Sequence, residues 1–130
     1  MTDAELGALA ADWVLYWQAP EGSVAREQLR YACDREYDLV REEPGVAWRL
    51  ILAILRLNSS SEIQEVLSAG PLEDLLAKHG EAFIGHVEQE AKSNAAFARL
   101  LGGVWQNSMS ESVWSRVQAV WDRSGWDGNA

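Results

Sequence analysis

Cysteine is almost missing from this chain. The one thiol, Cys33, leaves no intrachain disulfide to form and excludes a cysteine-rich zinc site. That usage predicts a reducing, cytoplasmic setting. Positive charge is also short: 11 lysines and arginines stand against 20 acids, a formal net charge of -9. The averaged field repels nucleic-acid phosphates and anionic headgroups, so neither nucleic acid nor a membrane surface is the expected partner; a basic protein is. Long hydrophobic runs are absent too. The most apolar stretch, residues 46–57, contains Arg49 and Arg56 and falls well short of the roughly 20 residues that cross a bilayer. The first residues carry Asp3 and Glu5 where a secretory signal carries bases, so no export signal is expected.

Strand signals are lacking as well. No segment alternates apolar and polar residues for long, and no valine or isoleucine run is bounded by a hairpin turn. What is present is helical period. Leu6, Leu9, Ala10, Trp13, Val14 and Trp17 mark one face of a first helix, with Thr2 or Asp3 as its cap. Ser23 caps a second helix running to about Glu42, with Leu29, Cys33, Tyr37 and Val40 inward. Pro44 opens a third, apolar on nearly every side. A short fourth helix starts at Ser61 and closes at Gly70; Pro71 and Gly80 bracket a fifth, and residues 81–92 form a sixth. Asn94 caps a seventh that ends at Gly102 and Gly103, and Ser110 caps the last. The expected fold is all-α, about eight short helices packed as antiparallel hairpins, either as an irregular bundle or as a repeat-like, HEAT-like superhelix. With 48% apolar and 24% charged residues, a single domain over residues 1–124 is expected, with a frayed tail at 125–130.

Seven tryptophans stand out. Trp13, Trp17, Trp48, Trp114 and Trp121 fall on apolar stripes and are read as core. Trp105, at a helix junction, and Trp126, in the tail, are the candidates for exposed binding anchors. His79 and His86 are the two histidines, and hydrolytic or metal chemistry would normally draw on one of them. His79 follows Leu75 and Leu76 on an apolar side and reads as packing or capping. His86 and Glu90 share a face, but the Glu-x-x-His and His-Glu-x-x-His spacings of metal helices are absent, so no metal and no cofactor are expected. Asp34 and Asp38 also share a face; ion pairs with Arg30, Arg35 and Arg41 explain them without chemistry. Glu36, Asp38, Glu42, Glu43, Glu62, Glu65, Glu73 and Asp74 spread acid over the middle of the chain, a landing site for a basic protein if the helices present one face.

The string Gly70-Pro71-Leu72-Glu73-Asp74-Leu75-Leu76, His79-Gly80-Glu81-Ala82-Phe83-Ile84, then Leu101-Gly102-Gly103-Val104-Trp105-Gln106-Asn107 and Val113-Trp114-Ser115-Arg116-Val117 resembles a bacterial family of unknown function. The likeness reaches back through residues 37–40 and 47–52, leaving the first helix outside. It implies a small helical protein and carries no catalytic residues. It directs attention to Glu73, Asp74, His79, Gly80, Trp105, Gln106 and Asn107, more polar signature than a core requires. The loop after Gly103 and the end of the fifth helix are expected to meet in a shared cleft.

Three functions fit these residues: a protein-binding module, in its sharpest form an inhibitor or immunity-type protein masking a basic partner; a structural subunit that self-associates through tryptophan; and an enzyme built on a histidine or metal. The missing catalytic set favours the first.

Overall fold

A computed structural model describes residues 1–126. Every regular element among them is helical: α1 Asp3–Gln18, α2 Val24–Glu42, α3 Pro44–Leu57, α4 Ser61–Leu67, a π-helical turn Ser68–Leu72, α5 Glu73–Ser93, α6 Ala95–Leu101 and α7 Glu111–Val120. The chain divides into two compact units, Met1–Ile63 and Gln64–Ala130, with the boundary inside α4.

In the first unit, α1, α2 and α3 pack pairwise. A capping box starts α1: the Thr2 hydroxyl accepts the Glu5 N–H at 3.1 Å, and the Glu5 carboxylate accepts the Thr2 N–H at 2.8 Å. Its buried stripe is Leu6, Leu9, Ala10, Trp13 and Val14. The α3 helix packs on α1 and buries Leu50, Ile51 and Ile54; it begins on Pro44 because a missing N–H costs nothing there. The inner face of α2 is rotated from the expected one. Ala32, Leu39 and Val40 are buried, Leu29 and Cys33 only half so, and Tyr37 is exposed, its ring taking the Arg41 guanidinium at 5.0 Å. A tyrosine with a polar tip and a neighbouring cation can turn outward where an aliphatic side chain could not.

In the second unit, α5 is the spine on which α6, α7 and the π turn pack. The sequence places a helix end at Gly70 and a new start at Pro71. The backbone instead continues through a wide turn, in which the Glu73 N–H reaches the Ser68 carbonyl five residues back. Pro71 has no N–H to donate and its ring crowds the preceding turn, which the wider loop relieves. The expected fifth and sixth helices run on as α5 and meet at a kink, where His79 leaves the helical conformation (φ -133°, ψ 24°) one residue before Gly80. Beside the kink, Gly80 is buried against α7: a Cβ there would come within 3.0 Å of Val113 Cγ1. The glycine admits a neighbouring helix beside the break. Asn94 and Ser110 cap α6 and α7 as the sequence indicates.

The tryptophans divide less evenly than their spacing suggests. Trp13 is fully buried, whereas Trp17, Trp48, Trp114 and Trp121 are half-buried. Of the tail expected to fray, Gly125 and Trp126 belong to a turn whose indole nitrogen donates to the Arg99 carbonyl at 2.6 Å. Residues 127–130 lie outside the described residues.

Candidate binding surface around Trp105

The segment between α6 and α7 has no regular structure, yet it is fixed at both ends and in the middle. Val104 and Met109 are buried and pin it to the unit. Between them, the Trp105 backbone N–H donates to Glu73 Oε1 at 2.9 Å, and Asn107 Nδ2 donates to Glu73 Oε2 at 3.1 Å. One carboxylate in the first turn of α5 therefore holds two loop residues. Asn107 adopts φ 51°, a left-handed conformation that asparagine tolerates better than most residues. Gln106 Nε2 donates to Glu111 Oε1 at 3.0 Å, tying the loop to the first turn of α7. The indole of Trp105 stands outside this frame, 76% exposed. A large apolar ring held in water on a constrained loop has no packing role in its own fold.

The surroundings are acidic. Among the described residues neither Glu73 nor Glu111 has a salt-bridge partner; both are oriented by neutral donors, so their charge is held in place without being cancelled. Asp74, next in the chain, is half-buried, and burial raises its carboxyl above the usual range; Lys78 opposes that shift and Glu73 adds to it.

Of the residues singled out from sequence, Glu73, Trp105 and Asn107 meet directly, and Gln106 lies beside them on Glu111. His79 sits farther along α5 at the kink, half-buried. The loop follows α5 toward that kink. Ser110 Oγ donates to Glu81 Oε1 at 2.9 Å, and Val113 covers Gly80. Asp34 and Asp38 belong to the other unit, exposed on α2. The ion pairs expected for them do not form: among the described residues Arg30 pairs with Glu27 at 3.9 Å, and no arginine lies within salt-bridge distance of either aspartate. The acid residues of the middle segment are likewise split between the two units.

Glu111 escaped the sequence reading. Its place one residue beyond a helix-capping serine and five beyond Gln106 was the available signal. Glu90 Oε2 accepts Asn94 Nδ2 at 3.0 Å, and the His86 ring lies 5.5 Å from Phe83. Among the described residues no three His, Cys, Asp or Glu side chains gather in a metal-holding group. No helix among them is long and apolar enough to cross a membrane.

This is a small helical protein that presents Trp105 on a loop clamped by the carboxylates of Glu73 and Glu111. Residues 20–125 match the model of a family of unknown function, DUF6869, and the chain belongs to that family. The matched span begins after α1 and includes the whole Trp105 loop with Glu73. No curated protein and no solved structure matches the chain.

Proposed function

We propose that the protein is a protein-binding module, with Trp105 as its anchor and a partner that offers a cationic side chain. The observation that carries this reading is the 76% exposure of an indole whose backbone is locked by Glu73. A rigid aromatic loses little conformational freedom on binding, which is why such residues dominate binding energy. The fixed charges of Glu73 and Glu111 flank it, and a lysine or arginine placed over the indole face gains both the ring quadrupole and the carboxylates. The net charge of -9 extends the preference to a partner basic over a wider area, as an inhibitor or immunity-type protein would meet.

The test is capture from lysate of the source organism on immobilised wild type and Trp105→Ala, at low and moderate salt. One basic protein, retained by wild type, lost by Trp105→Ala and weakened by moderate salt, is the expected result. Equal retention by both baits, or none by either, refutes the reading. Self-association is the second reading, favoured by the exposed Leu15, Val24, Tyr31 and Tyr37 of the first unit; a concentration-dependent mass in sedimentation would support it.

A further inference from the structure

The last turn of the described chain closes over the two glycines from which the Trp105 loop departs. Asp122 N–H donates to the Ala98 carbonyl at 2.9 Å, Trp126 Nε1 to the Arg99 carbonyl at 2.6 Å, and Arg123 Nη1 to the Gly102 carbonyl at 2.7 Å. These carbonyls belong to the final turn of α6 and its cap; those of Ala98 and Arg99 also accept the Gly102 N–H, at 3.2 and 3.1 Å, so the strap's donors add to the bonds that close the helix. The contact is also steric. A Cβ on Gly102 would collide with the Asp122 carbonyl. One on Gly103 would collide with Ser68 Oγ and would stand 2.5 Å from Trp126 Cη2. Ser68 is fully buried, and its hydroxyl, the Trp126 indole and Gly103 form a closely fitted seat.

We infer that residues 121–126 are a strap that sets the order of the Trp105 loop, with Trp126 as its positioning residue. Glycine has the freest backbone of any residue, and two in succession make a hinge unless something fills the space beside them. Here the strap fills it. Ser124 and Gly125 are exposed and the other strap residues half-buried, and Trp126 is the strap side chain whose ring lies against both glycines. With Trp126 seated, Gly102 and Gly103 are confined and Val104 enters the core in one pose. With the strap lifted, the hinge is released and Trp105 samples many. The coupling concerns loop order and stands whether or not Trp105 binds a partner.

Amide hydrogen exchange on the full chain tests it, comparing wild type with Trp126→Ala and Trp126→Phe. The reporters are the amides of Gly103, Val104, Trp105 and Met109, each a hydrogen-bond donor, with Asp122 reporting the strap itself and Ile84 to Ala91 reporting the spine. In Trp126→Ala, Asp122 and the four loop amides should exchange at least about tenfold faster while the spine is unchanged. Trp126→Phe keeps a ring but loses the donor and should give a smaller change in the same residues; it supplies the reading if Trp126→Ala does not fold. Faster exchange at Asp122 with an unchanged loop overturns the proposal. So does an equal rise across the spine, or no change anywhere.

Discussion

Glu73 and Trp105 are 32 residues apart in sequence, and a single bond of 2.9 Å from the tryptophan backbone to the glutamate carboxylate joins them. The indole is free to face outward because its main chain is the part held. Removing that carboxylate should therefore loosen the loop without touching the core. Glu73→Ala is expected to cost about 0.5–2 kcal/mol in urea denaturation, the range for two solvent-accessible hydrogen bonds to a charged acceptor. Amides 105–107 should exchange faster while α7 keeps its protection. An unchanged loop would mean that Val104 and Met109 alone fix it.

Two glycines should respond in opposite directions. Gly103→Ala places a methyl against Ser68 and Trp126 and is expected to destabilise by about 1–3 kcal/mol, as overpacking does. Gly85 lies in α5, exposed, with nothing within 4 Å of a built Cβ. Gly85→Ala should stabilise by about 0.5–1 kcal/mol through helix propensity. Both shifts can be read from urea midpoints.

Arg116 of α7 forks onto Glu88 of α5, Nε to Oε2 at 2.9 Å and Nη2 to Oε1 at 2.5 Å. The hydrogen bond from Arg116 holds the Glu88 carboxyl below its ordinary 4.5. A depressed folded value means stability that is present above 4.5 and lost as pH falls through the folded value. The stability advantage of wild type over Glu88→Gln should accordingly shrink on acidification below 4.5. A difference independent of pH would show that the pair does not couple to folding.

Burial pushes the Cys33 thiol up to about 12, with the Glu36 and Asp34 carboxylates adding to the shift. At neutral pH almost none of it is thiolate, the reactive form. Labelling by a disulfide reagent should be slow in the folded protein and fast in urea. Rapid labelling of the native chain would contradict this environment.

Much of the fold was legible because its signals are local. Ser23, Pro44, Asn94 and Ser110 each mark a helix start through chemistry confined to one turn, and each does so in the structure; of the two caps open for α1, Thr2 and Asp3, it is Thr2 that caps. Gly80 marked the break that lies at His79, but its second role, the close approach of Val113, depends on a tertiary partner that the sequence does not name. Pro71 misled because a π turn absorbs a proline that an α-helix would reject. Tyr37 has the right spacing for the core and still faces out, since Arg41 gives its ring a partner at the surface.

The candidate surface was legible as residue types and not as bonds. Trp105 drew attention by lying off every apolar stripe. That Glu73, Gln106 and Asn107 serve the loop, through Glu73 and Glu111, depends on contacts across long stretches of chain that no sequence period encodes. Trp126 looked like an anchor in a loose tail; its nitrogen is spent on the Arg99 carbonyl instead.

The most direct test of Trp105 as an anchor is photocrosslinking in the source organism from Ser108, exposed in the same loop, replaced by p-benzoylphenylalanine with Trp105 intact. A single adduct with a basic protein, lost when Trp105→Ala is added, is the predicted result. No adduct from this position, or one indifferent to Trp105→Ala, would contradict the account.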